Sequence, residues 1–243
     1  MADLNKPLVS FFDQLDPTKF ADGVELITLH KALTMSTGIR ITPEQWEGIE
    51  EEPSKVKGQQ HLQAILEATT PITPESQSFL YGMGPGLVMQ VIEVVVPGSA
   101  DDFIKTELLD KMGITNYHWP TELNGLPDAG SRVSMTSRDM LKWGLLAANE
   151  GKWNGEQLIS EAFVTQAKRK IVREADDENF LDHSNVFDTG YGYFMWQADL
   201  STGDKRYFSA AARGGGGQYV IVVDHLDLVV VVTAHDRLSL IHI

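Results

Sequence analysis

No cysteine occurs among the 243 residues of the chain. Its absence excludes disulfide bonds, thiolate metal sites and a cysteine nucleophile, although it does not identify a cellular compartment. Basic residues are also scarce, because 20 lysines and arginines face 34 aspartates and glutamates, for a formal net charge of −14. A surface of this charge repels phosphate backbones and anionic lipids, so we expect neither nucleic-acid nor membrane binding.

Long apolar runs are missing as well. The longest, Val220–Val223 and Leu228–Ala234, are far shorter than the roughly 18 residues that a membrane-spanning helix needs. Residues 1–10 lack the charged and apolar segments of a secretory signal, and the sequence leaves localisation open. The seven histidines are scattered, with no pair at ligand spacing, so we expect no metal site and no cofactor.

The first two thirds of the chain have helical patterns. The segment Gly84–Gly98 is apolar almost all round, which predicts a buried helix. Ser99 precedes two acidic residues and predicts the N-cap of the next helix, which Gly113 would stop. The same design recurs from Thr136 or Ser137 to Gly151.

The last third has strand patterns. Four segments predict strands, and the short link between the last two predicts an antiparallel hairpin. Val229–Val232 is continuously apolar, which predicts a strand covered on both faces. Helices followed by an antiparallel sheet indicate an α+β fold. The predicted strands are YGYFMWQ, KRYFSAAA, QYVIVVD and DLVVVVTA.

The chain thus has four predicted parts. A mainly helical region covers residues 1–170, an acidic loop covers 171–187, and the antiparallel sheet covers 188–236. Residues 237–243, RLSLIHI, fit neither pattern, and we expect them to be a non-native tail.

Four consecutive glycines follow Arg213 and lead directly into a valine-rich strand. A phosphate-binding loop would instead lead through Lys-Ser/Thr into a helix, so nucleotide binding is not indicated. Two interpretations remain. Gly214–Gly217 could form a bulge or a close strand contact, or their bare backbone could face a substrate, with Arg213 holding a carboxylate or assisting an oxyanion.

Two further candidates carry hydroxyl groups. Tyr81 lies in a glycine-rich loop before the predicted buried helix; it could simply pack there, or serve as general base or acid if nearby cations lower its pKa. Ser54 and Lys57 match Ser-x-x-Lys literally, but they lie in a polar stretch that follows several glutamates. We interpret this Ser-x-x-Lys match as coincidental.

Four segments, in this order, resemble the serine β-lactamase-related hydrolases. This penicillin-binding-protein-like group includes class C β-lactamases, D-alanyl-D-alanine carboxypeptidases and esterases. The resemblance runs from about Asp3 to Asp236, and it implies a fold with a helical region and an antiparallel sheet. The segments are Ile27–Ile39, Phe79–Trp119, Ser134–Ser160 and Ala212–His235.

The resemblance implies hydrolysis of a small-molecule amide or ester through an acyl-serine. Tyr81 matches the tyrosine of the family's Tyr-x-Asn motif, although Met83 stands where the asparagine is expected. Arg213 and the glycines Gly214, Gly215 and Gly216 lie at the strand motif that binds the substrate carboxylate and the oxyanion. Whether the substrate is a β-lactam, a peptide, an ester or a lactone stays open.

The family's Ser-x-x-Lys motif is expected before Ile27, where only Ser10, followed by Phe-Phe-Asp, occurs. The resemblance therefore implies an incomplete fold that lacks the nucleophile segment and a helix after the last strand. We expect such a chain to be inactive alone and to self-associate through an exposed sheet edge. The alternative is a non-catalytic pseudoenzyme or binding module that retains the substrate cleft.

Overall fold

The computed structural model describes residues 2–130, 132–173, 175 and 185–234. The chain forms two compact units. The first comprises Met1–Thr106 and His118–Val133, and the second comprises Glu107–Tyr117 and Ser134–Ile243. Within the described ranges, no helix is both long enough and apolar enough to cross a membrane.

The first unit is built from helices and 3-10 turns. The 3-10 turns are Ala2–Asn5, Leu8–Phe11, Pro17–Lys19 and Val24–Leu26. The helices are α1 (Leu29–Leu33), α2 (Pro43–Glu50), α3 (Gln59–Ala68), α4 (Gly84–Val95) and α5 (Ala100–Ile104).

Side-chain caps begin several of these helices. The Thr42 hydroxyl accepts a hydrogen bond from the Gln45 backbone, and the Gln45 side chain accepts one from Thr42 in return, which forms a capping box. Ser99 accepts from the backbone of Asp102 and caps α5, which confirms the predicted N-cap. The predicted buried helix is confirmed as α4, which ends two residues before Pro97 because proline cannot continue a helix.

The core of the first unit lies between α3, α4 and the N-terminal turns. Leu62 and Leu66 of α3 are fully buried, and Leu87 of α4 is 2% exposed. They belong to one cluster with Leu8 and Ile27, which come from the N-terminal segment. Burial of each such side chain contributes about 1.5–3 kcal/mol, so this cluster fixes the start of α4 and the loop that precedes it.

The second unit combines two helices with an antiparallel sheet. Its helices are α6 (Ser137–Ala148) and α7 (Glu161–Lys168), and Lys105–Leu109, at the boundary of the units, forms a π-type turn. The short strands are β1 (Tyr117–His118), β2 (Ser134–Met135), β3 (Lys152–Trp153) and β4 (Glu156–Gln157). The main sheet has the order β5 (Val186–Tyr191), β6 (Trp196–Thr202), β7 (Lys205–Gly214), β8 (Gln218–Val223) and β9 (Leu228–Val232).

The main sheet therefore has five strands in the part of the chain that the structure describes, not the four that were predicted. The segment YGYFMWQ was predicted to be one strand, and this is wrong, since it holds the turn between β5 and β6. Gly192 donates to the Met195 carbonyl, and a Cβ at Gly192 would lie 2.2 Å from the Ala167 oxygen. Only glycine fits so close to another backbone, so the chain reverses there.

The predicted C-terminal hairpin is confirmed, because β8 and β9 pair antiparallel, but β9 is not covered on both faces. Leu228, Val230 and Val232 are 42%, 36% and 40% exposed, whereas the alternate residue Val229 faces α6 at Gly144. β9 is the last strand of the sheet, and α6 packs on only one of its faces.

Parts of all four predicted regions lie outside the described residues. They are residues 1 and 131 of the helical region, 174 and 176–184 of the acidic loop, 235–236 of the sheet region, and the whole predicted tail, residues 237–243.

Candidate functional site

Tyr81 lies in the loop directly before α4, with 48% of its surface exposed. The backbone N–H of Leu80 donates to the Met35 carbonyl at 2.7 Å, which ties this loop to the segment after α1. Gly82 follows with a φ of 152°, and a Cβ there would meet nothing within 4 Å. The glycine therefore keeps open the space beside the tyrosine.

Tyr81 lines a cavity of about 250 Å³, which we call the tyrosine cavity. Arg40 lines the same cavity, and its guanidinium donates to the carbonyls of Ile39, at 2.9 Å, and Ser76, at 3.3 Å. These bonds hold a fixed positive charge at the cavity that contains the tyrosine. The other lining residues are Met35, Thr37, Ile39, Ile41, Thr42, Trp46, Thr70, Leu80, Gly82, Met83 and Gly84.

A second cavity of about 240 Å³, the histidine cavity, shares Trp46, Gly82 and Met83 with the first. It is mixed in character, with apolar and aromatic walls and four polar side chains. The polar residues are His61, Gln90, Glu122 and Asn124, and the remaining lining residues are Ile65, Gly86, Leu87 and Gly130.

His61 has a defined orientation in the histidine cavity. Its Nδ1 lies 3.3 Å from the Asn124 side-chain nitrogen, and its ring centroid lies 6.2 Å from that of Trp46. Burial lowers the pKa of His61 below its ordinary value, and the charge of Glu50 opposes part of this effect. The imidazole is therefore neutral at neutral pH.

Glu122 has the opposite shift. Burial raises the pKa of its carboxyl group above the ordinary value, and the charge of Asp128 adds to the rise, while Arg132 opposes it. The cavity thus holds two titratable groups whose charged forms are both disfavoured by burial, a combination that is frequent at functional sites.

The glycine run lies in the second unit, where it joins β7 to β8. Arg213 pairs with Tyr219, and Gly214 pairs with Gln218. The Gly217 N–H donates to the Gly214 carbonyl at 3.1 Å, and Gly217 has a φ of 83°, so these residues form a tight turn. The Gln218 side chain stabilises this turn, because its oxygen accepts a hydrogen bond from the Gly216 N–H at 3.2 Å.

The end of β7 carries the predicted cation and a partly uncovered edge. Pairing with β6 ends at Ala211, whereas pairing with β8 continues to Gly214. The Arg213 guanidinium lies 5.4 Å from the Trp196 ring centroid and 5.6 Å from that of Tyr219, within cation–π range of both. These aromatic rings hold the arginine at the point where β7 extends beyond β6.

Ser54 and Lys57 form no catalytic pair. Both are exposed, and the Ser54 hydroxyl donates to the Glu52 carboxylate at 2.8 Å. Lys55, not Lys57, forms an ion pair with Glu52. Within residues 2–130, no hydrogen bond joins Ser54 to Lys57, so this lysine is not placed to take up the serine proton.

The predicted site residues are thus distributed over both units. Tyr81 lies in the first, as do Ser54 and Lys57, while Arg213 and its glycines lie in the second. The histidine cavity was missed by sequence reasoning, since its polar residues come from segments far apart in the chain. Among the described residues, no three His, Asp or Glu side chains are grouped so that they could hold a metal ion.

Solved structures with the same fold come from several kinds of protein. The chain is 16% identical to an octameric penicillin-binding protein homologue from Pyrococcus abyssi, with a TM-score of 0.67. The match covers 96% of this chain but 56% of that one. It is 15% identical to a D-stereospecific amidohydrolase from a Streptomyces species, with a TM-score of 0.64, and the match covers 99% of this chain and 78% of that one. For EstCE1, a hydrolase with promiscuous acyltransferase activity, identity is 14%, the TM-score is 0.66, and coverage is 98% and 80%.

These likenesses show the fold alone, and the chain spans less than two thirds of the length of the Pyrococcus protein. No curated protein sequence matches the chain. A family model, in contrast, matches almost all of it, from residue 2 to residue 239. The family is the one described as Beta-lactamase, and this chain belongs to it.

Proposed function

We propose that this chain forms the greater part of a serine hydrolase that cleaves an amide or ester bond through an acyl-serine. The observation that carries the proposal is the position of Tyr81, half-exposed at a cavity directly before α4. In the family resemblance, this is the place of the tyrosine that transfers protons during acyl transfer. We assign no serine within residues 2–130 as the nucleophile, because Ser54 is exposed and its hydroxyl is bonded to Glu52.

Each candidate residue receives a role. Tyr81 acts as general base or acid, and the guanidinium of Arg40 lines the same cavity. Arg213 binds the substrate carboxylate, and Gly214 and Gly215 contribute the oxyanion-binding edge of β7. The Gly216 N–H is already bonded to Gln218, so it would be free for the oxyanion only after that side chain moves.

The neighbours support a small-molecule amide or ester as substrate. One is described as a D-stereospecific amidohydrolase and another as a hydrolase with acyltransferase activity. Both descriptions concern chemistry at an acyl carbon, which is the reaction that a tyrosine base and an oxyanion-binding strand can assist.

A serine-directed probe tests the proposal. We expect no adduct when the chain is treated with a fluorophosphonate or a chromogenic β-lactam, because Ser54 is exposed and is not hydrogen-bonded to Lys57. The chain extended upstream by the residues that its own gene encodes should form one adduct per molecule, measured by intact mass. A stoichiometric adduct on Ser54 would contradict the assignment.

The second candidate function is a non-catalytic binding module that retains the cleft. The exposed position of Ser54 and Lys57 favours it, since the literal Ser-x-x-Lys match has no catalytic geometry. If the extended chain also fails to form an adduct, this alternative is supported.

Self-association through β9 is a further expectation. The exposed side chains of Leu228, Val230 and Val232 lie on the last strand of the sheet, and such strands pair readily with other chains. One structural neighbour is described as octameric. We expect Val230→Lys to lower the association constant at least about tenfold, because a buried lysine in the contact is costly.

Sedimentation velocity at several concentrations measures this effect. The matched variant Val229→Lys places the same charge on the opposite face, against α6, and should instead destabilise the second unit. An unchanged sedimentation profile for Val230→Lys would exclude β9 as the contact.

A further inference from the structure

Gln90 is an unusual residue of the histidine cavity. Its side chain is 4% exposed and lines the cavity, yet its amide forms no hydrogen bond within the part of the chain that the structure describes. Buried side-chain amides nearly always have a hydrogen-bond partner. The amide atoms are not fully enclosed, so a ligand that enters the cavity can reach them and supply their hydrogen-bond partners.

His61 adds a hydrogen-bond donor to this cavity. The Leu126 N–H donates to the Asn124 side-chain oxygen at 2.9 Å, which fixes the orientation of that amide. Its nitrogen must then donate to Nδ1 of His61, so the neutral imidazole carries its proton on Nε2. That N–H has no partner among the described residues.

Glu122 adds an acceptor. Its half-buried carboxyl group lines the same cavity, and its side chain makes no hydrogen bond with any residue that the structure describes. The cavity thus offers a donor at His61, an acceptor at Glu122, and both functions at Gln90. Trp46 and Met83 supply apolar surface beside them.

These groups discriminate between ligand classes. A carboxylate ligand would be repelled by Glu122, and an ammonium ligand would leave the His61 N–H facing a second donor. An ester accepts hydrogen bonds but cannot donate one, so it would leave the Glu122 carboxylate unmatched. An uncharged amide has an acceptor and a donor on the two heteroatoms bonded to its carbonyl carbon and can satisfy both kinds of group.

We propose that the histidine cavity binds an uncharged amide group of a small ligand, and that Gln90 contributes to the preference for amides over esters. The inference rests on the proposed function, because it takes the histidine cavity as part of the substrate cleft. The histidine cavity shares Trp46, Gly82 and Met83 with the tyrosine cavity.

Two nearly isosteric probes test the preference, N-methylphenylacetamide and methyl phenylacetate, which differ by N–H against O. Titration of the whole chain at neutral pH, followed by protein NMR, gives both dissociation constants. We expect the amide to bind at least about tenfold more tightly, since the ester leaves buried groups unpaired. Equal affinities, or tighter binding of phenylacetate or phenethylamine, would overturn the proposal.

Gln90→Met tests the residue. Methionine keeps a similar volume without the amide, so this variant should fold normally and prefer the amide by less than about tenfold, because Glu122 alone still accepts from the amide N–H. The control Gln60→Met changes an exposed glutamine on α3 and should keep the tenfold preference. A Gln90→Met protein that keeps the full tenfold preference would show that Gln90 does not contribute to it.

Gly86→Leu tests the location. A Cβ at Gly86 meets nothing within 4 Å, so a leucine side chain can occupy the cavity without backbone strain. It should abolish binding of both probes, whereas Gly48→Leu, on the exposed face of α2, should have no effect. Retained binding would place the ligand elsewhere. No covalent step enters these measurements, so their failure and failure of the serine-probe test are distinguishable.

Discussion

Replacement of Gly151 by alanine is expected to destabilise the second unit by about 3 kcal/mol or more, whereas the same change at Gly155 should cost about 1.5 kcal/mol. Both glycines have a left-handed backbone, with φ values of 83° and 86°, so alanine pays the same conformational penalty at each. The two sites differ in their surroundings. A Cβ at Gly151 would lie 2.0 Å from the Ile159 oxygen, but at Gly155 it would meet nothing within 4 Å.

The clash at Gly151 cannot be relieved cheaply, since it involves two backbone segments that are bonded together. The Gly151 carbonyl accepts from the N–H groups of Leu158, at 2.9 Å, and Ile159, at 3.2 Å. Urea unfolding of the three proteins, with hydrogen exchange of residues 152–159, measures the difference. Equal losses for the two variants would mean that the segment moves aside, and that the close approach contributes nothing to stability.

Gly151 also illustrates what the sequence could predict. A glycine after an amphipathic segment predicts a helix stop, and α6 does end just before it, at Ala148. Of the two predicted starts of this helix, Thr136 and Ser137, the structure has Thr136 as the N-cap, because its hydroxyl accepts from the Asp139 backbone. Such signals are local, since a cap or a stop involves residues within one turn of each other. The approach of Ile159 to Gly151 is not local, and no pattern in the sequence indicates it.

The sheet shows where local patterns fail. Alternating aromatic residues around Gly192 have the composition of a strand, and they were predicted to form one. The structure places a turn there because Gly192 approaches the carbonyl oxygens of Ala167 and Arg169, and Tyr191 packs edge-on against the Trp196 ring at 4.9 Å. Contacts with a helix more than twenty residues earlier therefore override the strand propensity.

The residues of the candidate site were likewise predictable only in part from the sequence. Tyr81 and the Arg213 strand could be named from short motifs, because a motif is a local pattern. The histidine cavity could not, since Trp46, His61 and Gln90 lie on three different helices and meet only through packing of the core. Its clearest signal is physical: a side-chain amide that lines a cavity and forms no hydrogen bond with a described residue.

Replacement of Gly144 by leucine is expected to cost the second unit about 2 kcal/mol or more. Glycine inside a helix is unfavourable, so leucine would gain about 0.8 kcal/mol of helix propensity at an open site. Gly144 is not open, because a Cβ there would lie 2.3 Å from Cγ1 of Val229 and 2.8 Å from Cγ1 of Val220. Overpacking of this kind costs about 3 kcal/mol, which exceeds the gain in propensity.

A double-mutant cycle separates the two effects. Val229→Ala removes the nearest methyl groups, so the combination Gly144→Leu with Val229→Ala should be more stable than the sum of the single losses by about 1 kcal/mol or more. Free energies of urea unfolding for the four proteins give this coupling, and hydrogen exchange of β8 and β9 reports whether the loss lies at the sheet. Strict additivity would show that α6 does not depend on its close contact with β9. A favourable coupling would instead explain why glycine stands in the middle of α6, since only its bare backbone lets the helix lie against the valines of β8 and β9.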